Sequence, residues 1–264
     1  MTTKWTAPRI RALKGKQKIP VLTAHDVTQA RLMDEAGLPL ILVGDSLGMT
    51  VLGYSTTLPV TLEQMLIYTA AVRRGAASAM VITDLPFLTY QASIAEAITS
   101  AGRCLKEAGA DGVKIEGGEV RADTVRALVA NGIPVMGHIG LLPQSVQATG
   151  GFKVQGRTPE SVDRLLRDAR ALEEAGAFCM VLEGMPADVA GRVTEAVSIP
   201  TIGIGAGPRC DGQVLVIHDV LGLTPRAPRF VKQYADLLGP MTKAIRDYKA
   251  DVEGGAFPGP EHGY

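Results

Sequence analysis

At 264 residues, 46% of them hydrophobic and 5% aromatic, the chain can bury a large core, as one α/β barrel or as two smaller domains. Its 27 basic and 27 acidic side chains cancel, which leaves no electrostatic footprint for nucleic acid or an anionic membrane. No apolar run approaches the roughly 18 residues needed to span a bilayer, and three scattered cysteines, Cys104, Cys179 and Cys210, point to reduced thiols in a cytoplasmic protein.

Residues 1–17 carry five basic side chains and no acid. They lack the apolar stretch of a secretion signal and read as a short basic arm or a first helix. A first strand over Ile19–Thr23 ends at Ala24-His25-Asp26, and a helix over 27–36 is closed by Gly37. The second strand, 38–43, is a run of aliphatics that ends in Gly44-Asp45-Ser46. A continuous apolar run of this length reads as a strand buried on both faces. The segment 44–59 that follows is long for a βα connection and rich in glycine, as a lid or binding loop would be.

Thr61 with Gln64 has capping-box spacing and opens a helix to Arg74. The third strand, 79–83, ends in Asp84, with Pro86 setting a turn. Ser93 with Glu96 opens the next helix, which Gly109 ends, and the fourth strand, 111–115, ends in Glu116. Then come a helix over 119–130, a fifth strand over 133–138 with Pro134 at its opening, and a second long loop over 139–157. Pro159 stands in the first turn of the helix that follows. A sixth strand, 178–183, ends in Glu183. The seventh, 200–207, closes in a glycine turn, and the eighth is expected over 214–217. The remainder reads as helical to Lys249, and the turn-rich tail 254–264 as packing on a neighbour or fraying.

Eight strands alternating with helices imply a parallel sheet under helices. The count favours a closed (β/α)8 TIM barrel, a single α/β domain over residues 1–264 with an N-terminal arm and a C-terminal helix and tail. No Gly-x-Gly-x-x-Gly follows the first strand, which speaks against a dinucleotide fold.

Asp45, Asp84 and Glu116 recur at 39 and 32 residues, near the roughly 30 that one barrel unit of about 250/8 occupies. That spacing places them side by side on the C-terminal face, where barrel active sites lie. Unpaired, such acids raise one another's pKa. A hard divalent cation that keeps some waters resolves the repulsion, and Mg²⁺ suits an all-oxygen donor set. The other reading is helix caps with salt bridges to Lys114 and Arg73 or Arg74. Lys114 and Glu116 are two apart on one strand and share a face, so the lysine either holds a substrate oxyanion or neutralises an acid. Glu183, among Met180, Val181 and Leu182, is placed as a general base. His138 is a candidate for bonding substrate or orienting a carboxylate, and the turn Gly203-Ile204-Gly205-Ala206-Gly207 either binds an anion or packs tightly.

Three segments together resemble the ketopantoate hydroxymethyltransferase family: Val43-Gly44-Asp45-Ser46-Leu47-Gly48-Met49, Val113-Lys114-Ile115-Glu116-Gly117-Gly118, and His138-Ile139-Gly140-Leu141 with Pro143-Gln144-Ser145. The segments 150–157 and 202–207 are also similar, and the resemblance spans about 19–261. It implies transfer of a one-carbon unit from 5,10-methylenetetrahydrofolate to 3-methyl-2-oxobutanoate through a Mg²⁺-stabilised enolate, giving 2-dehydropantoate on the route to pantothenate. It implies Mg²⁺ held by Asp45, Asp84 and Glu116. Substrate contacts are implied from Asp45, Ser46, Asp84 and Lys114, with His138 beside them, and Glu183 as proton acceptor. It also implies a homo-oligomer, often a decamer.

Two other classes stay open. Mg²⁺-dependent lyases and mutases of the isocitrate lyase group also gather acids on a barrel rim, but need a cysteine near the mouth. A non-catalytic barrel predicts no metal dependence and no proton exchange on a keto acid.

Overall fold

The computed structural model describes residues 3–264, which fall into two compact units, one ending at Val216 and one covering Ile217–Tyr264. Met1 and Thr2 of the expected basic arm lie outside the described residues.

The first unit is a closed barrel of eight parallel strands in sequence order. They are β1 (Ile19–Thr23), β2 (Leu40–Val43), β3 (Met80–Asp84), β4 (Gly112–Lys114), β5 (Val135–Gly140), β6 (Cys179–Glu183), β7 (Thr201–Ile204) and β8 (Gly212–Leu215). Register closes the ring, with Val21 opposite both Leu40 and Val214. The uninterrupted aliphatic runs follow from burial on both faces. Residues two apart, such as Ile19 and Val21, Leu40 and Leu42, Met80 and Ile82, pack with Met136, Val181, Ile202 and Val214 inside the barrel. The alternate residues Val113, Ile115, Val135, Met180 and Leu182 pack outward against helix side chains such as Ala101, Cys104, Leu128, Leu172 and Val193.

Local chemistry starts the helices where the sequence places it. Asp26 accepts from the Gln29 N–H ahead of Val27–Glu35. Thr61 and Gln64 form the capping box of Leu62–Gly75, Ser93 caps Ile94–Ala108, and Thr158 boxes with Ser161 ahead of Pro159–Glu174.

The basic arm closes the end of the barrel where the strands begin. Within it, Ala7–Arg11 is helical, and Ile10 is fully buried against the interior cluster, with Trp5, Ala7 and Leu13 beside it. Lys4 Nζ pairs with Asp111 Oδ2 at 2.7 Å and Lys14 Nζ with Asp211 Oδ2 at 2.8 Å. Both acids also hold the sheet: Asp111 accepts from the Val81 N–H and Asp211 from the Thr201 N–H.

Four expectations need correction. The fifth strand, expected over 133–138, is Val135–Gly140, because Pro134 precedes the strand rather than opening it. The fourth strand is shorter than 111–115, because Asp111 is a bracket at the strand's base and Glu116 lies two residues past its end. The eighth strand begins two residues earlier than expected, and Ile217–Val220 curls into one helical turn. The remainder is not helical throughout. Gly222, at φ 66°, ends that turn, and Pro225 and Pro228 lack the N–H that a continuing helix requires. A regular helix resumes only at Leu238–Gly254. Within the second unit, the chain between them folds back on the first turn, with the Tyr234 N–H donating to Val220 O and the Leu237 N–H to Leu221 O.

Candidate active site

The inward positions change character along each strand. Met80 and Ile82 give way to Asp84, Gly112 to Lys114 and then Glu116, Met136 to His138, and Val181 to Glu183. Asp84 and Lys114 are register partners on β3 and β4. Asp45, Asp84, Lys114, Glu116 and His138 are all buried, and Glu183 is partly exposed. The structure therefore brings together six of the strand-end groups expected from sequence. Asp26 is not among them, because its carboxylate caps the helix Val27–Glu35 in the exposed part of the first connection.

Asp45 enters from the turn after β2. Its N–H donates to Asp84 Oδ2 at 3.1 Å. Gly44 stands at the inward position, where an added Cβ would lie 3.0 Å from Ser46 Oγ and 3.7 Å from Asp84 Oδ2, so the glycine keeps that space clear. Lys114 Nζ lies 3.2 Å from Asp84 Oδ1 and 3.1 Å from His138 Nδ1. Arg73, the alternative partner, pairs with Asp111 instead. On its other side, His138 Nε2 lies 3.2 Å from Glu183 Oε2.

The charge states follow from burial. Loss of water pushes the Asp84 carboxyl up to about 7, although Lys114 opposes the shift. Burial likewise raises Asp45, and Glu116 well above the usual carboxylate range. Burial works against the Lys114 charge, but Asp84, Glu116 and Asp45 outweigh it and raise its pKa. Burial and then the Lys114 ammonium lower His138, which is therefore neutral. Its Nδ1 accepts from Lys114, so its proton is on Nε2, beside Glu183.

Two buried side chains of this network were not singled out by sequence reasoning. Gln144 Nε2 donates to Asp45 Oδ2 and to Leu85 O, each at 2.9 Å, and the Gln144 N–H donates to Glu116 Oε2 at 3.0 Å. Tyr90 OH donates to Gln144 Oε1 at 2.7 Å and accepts from the Glu116 N–H at 3.0 Å. The available signal was a polar-tipped aromatic and an amide inside connections that follow strands ending in acids. Ser46 opens the short helix Leu47–Thr50, which with buried Leu47, Gly48, Thr57 and Val60 makes the long segment after β2 a packed excursion. The glycine turn after β7 is explained by close packing. A Cβ on Gly203 would lie 2.9 Å from Cys210 Sγ, and one on Gly207 2.3 Å from Ala187 Cβ.

The donor set bears on a metal ion. Glu116 Oε1 is buried without a hydrogen bond, and the neighbouring His138 Nδ1, 3.7 Å away, carries no proton to offer it. Asp84 Oδ1 is also without a hydrogen bond and faces only the Lys114 charge. Once ionised, three acids against one lysine would carry net negative charge that a hard dication neutralises. Among the described residues, no group of three or more His, Cys, Asp or Glu side chains is arranged to hold a metal ion by itself. The chemistry of the donors, all hard carboxylate oxygens, is that of a Mg²⁺ site completed by water and substrate oxygens.

Solved structures share this architecture. A 2,3-dimethylmalate lyase of the PEP mutase/isocitrate lyase superfamily superposes with a TM-score of 0.60 at 18% identity, covering 99% of this chain and 92% of that one. A phosphonopyruvate hydrolase crystallised with oxalate and Mg²⁺ gives 0.62 at 14% identity, covering 97% and 93%. At such identities the likeness is one of fold. Closer relatives are found by sequence. The chain is 56% identical over 255 residues to the 3-methyl-2-oxobutanoate hydroxymethyltransferase of Thermotoga neapolitana, covering 96% of this chain and 94% of that protein. It is 52% identical over 266 residues to the enzyme of the same name from Syntrophotalea carbinolica, each covered in full. Residues 4–260 match the profile of ketopantoate hydroxymethyltransferase, and the chain belongs to that family.

Proposed function

We propose that this chain is an enzyme that transfers a hydroxymethyl group from 5,10-methylenetetrahydrofolate to 3-methyl-2-oxobutanoate, the pantothenate-pathway reaction that gives 2-dehydropantoate. Family membership and full-length relatives support the activity. The observation that carries the residue assignments is the convergence of three buried acids, one lysine and the His138–Glu183 pair at one end of the barrel.

Asp45, Asp84 and Glu116 would hold Mg²⁺. When bound, the ion supplies Lewis-acid stabilisation of negative charge on the keto acid's oxygens. Lys114 balances the substrate carboxylate, and Ser46, in the turn beside Asp45, contacts it with Asp45 and Asp84. Glu183 takes the C3 proton, and C3 forms a C–C bond to the one-carbon unit; over the whole reaction both folate C–N bonds break, water supplies the hydroxyl oxygen, and the C3 proton with one water proton ends on the two folate nitrogens. His138, neutral and with its Nε2 proton beside Glu183 Oε2, orients that carboxylate without cancelling its charge.

The lyase alternative loses its cysteine. Burial raises the pKa of Cys104 to about 12, that of Cys179 far above the ordinary value, and that of Cys210 upward. All three thiols are free and buried. Such thiols suit a reducing compartment, which supports a cytoplasmic reading. Among the described residues no helix is long and apolar enough to cross a membrane. Residues 1–264 are taken to act as one functional domain in a homo-oligomer, a decamer by family resemblance. Support comes from the helix Leu238–Gly254, which leaves Leu238, Met241, Ile245, Tyr248 and Val252 exposed at spacings of three and four.

The deciding experiment is C3 proton exchange on 3-methyl-2-oxobutanoate in deuterated water, followed by NMR with and without Mg²⁺ and without folate. Exchange that requires both enzyme and Mg²⁺ is expected. Its absence, or its persistence after chelation, overturns the metal-assisted proton abstraction.

A further inference from the structure

Gln144 is a buried amide whose hydrogen-bonding capacity is fully used. Nε2 donates to Asp45 Oδ2 and Leu85 O, while Oε1 accepts from Tyr90 OH at 2.7 Å and from Gln91 Nε2 at 3.0 Å. Its orientation is dictated by its partners. Rotating the amide by 180° would set its oxygen against the Leu85 carbonyl, which has no proton to give, and its NH2 against the Gln91 Nε2 donor. Its main-chain N–H meanwhile holds Glu116 Oε2, and Tyr90 OH, which it accepts from, takes the Glu116 N–H. One residue thus fixes one oxygen of each of two acids brought in by different connections. The bond to Asp45 engages Oδ2 and the bond to Glu116 engages Oε2, so Oε1 of Glu116 stays without a hydrogen bond.

We propose that Gln144, braced by Tyr90, is a positioning residue that fixes the Asp45 and Glu116 carboxylates for the divalent cation, by bonding Asp45 Oδ2 and by leaving Glu116 Oε1 open to it. This rests on the metal assignment made above. The amide does two jobs that a hydrocarbon of the same size cannot. It satisfies one lone pair of a buried carboxylate, and it fixes that carboxylate's rotation about its Cβ–Cγ bond. Groups that orient metal-ligating carboxylates in this way alter metal affinity by about 10–100-fold when removed. The main-chain bond to Glu116 survives a change of side chain such as Gln144→Met, so the loss falls on Asp45.

The test is isothermal titration of Mg²⁺ into enzyme saturated with 3-methyl-2-oxobutanoate, with thermal melting of the metal-free protein alongside. Gln144→Met keeps the volume and removes the amide. Expected is a Mg²⁺ Kd weakened about 10–100-fold. The keto-acid exchange rate should be restored toward wild type by raising Mg²⁺, which a merely structural role would not allow. An unchanged Kd in folded Gln144→Met overturns the proposal. Should that variant not fold, Tyr90→Phe decides, since it removes one oxygen from a buried ring. A weakened Kd at unchanged melting temperature supports the bracing role, and an unchanged Kd overturns it. Wild-type enzyme that binds no Mg²⁺ would instead overturn the metal assignment itself, so the two failures are told apart.

Discussion

His138 stands between a cation and an anion, with Lys114 Nζ 3.1 Å from Nδ1 and Glu183 Oε2 3.2 Å from Nε2. Burial and the lysine lower the ring's pKa, so on the proposed assignment it stands beside Glu183 as a neutral group rather than as an ion. A charged imidazolium would stabilise the carboxylate and weaken it as a base. Glu183→Gln keeps the shape and the contact with His138 but has no basic oxygen. C3 exchange is expected to fall about 10²–10⁴-fold, while calorimetric binding of the keto acid with Mg²⁺ persists. Retained exchange would remove Glu183 as the proton acceptor. Asp84→Ala is expected to act oppositely, abolishing Mg²⁺-dependent keto-acid binding in the same titration. It also leaves Lys114 without its 3.2 Å partner in a buried place, so its melting temperature should fall as well.

Acids gather at both ends of the barrel, and the two sets behave differently. At the starting end, Asp34, in the last turn of the helix Val27–Glu35, accepts from the N–H groups of Ala77, Ser78 and Ala79 just before β3 and from Ser78 Oγ. Burial works against its charge, but those donors outweigh it and hold Asp34 below the ordinary aspartate value. Asp211 is lowered in the same way, burial being outweighed by Lys14 and the Thr201 N–H. A carboxylate with a depressed folded pKa contributes stability above its unfolded pKa and loses it as pH falls through the folded value. Urea unfolding should therefore show stability dropping below about pH 3.9, with a shallower drop in Asp34→Ala. That variant should also lose about 1–3 kcal/mol at neutral pH. An acid limb as steep as that of the unsubstituted protein would refute the bracket.

This division also explains what sequence could and could not tell. Asp84, Lys114 and Glu183 were legible because strand period fixes the face and strand length fixes the depth. Asp111 was read as strand and is a bracket, because nothing in a single acid says which end of a run it serves. Gln144 and Tyr90 were missed because their positions depend on the path of a connection, here the turn Pro143–Ser145 and the loop after Asp84. The eighth strand was shifted because β8 is weakly apolar, with Gln213 exposed in it, so the hydrophobic run placed its ends poorly.

At the scale of the whole molecule, two surfaces differ in kind. The barrel packs a large apolar core inside and under its helices and exposes scattered side chains such as Ile67 and Val120, whereas the helix Leu238–Gly254 has no buried residue and exposes an apolar stripe. Exposed stripes of this spacing are costly in water and are usually met by another surface. If that surface is a second copy of this chain, light scattering during gel filtration should give a multiple of the 27.8 kDa chain mass. Ile245→Asp should shift it toward the monomer with little change in barrel stability. A monomeric unsubstituted chain would remove the homo-oligomer from the reading.

The arm that seats Ile10 under the interior cluster corks one end of the cylinder. Above that cork the cylinder is filled by side chains from Ile19 to Val214, so a small molecule reaches the buried acids only from the rim where the strands end. On the proposed assignment, the keto acid that comes to Lys114 enters and its product departs across that one rim.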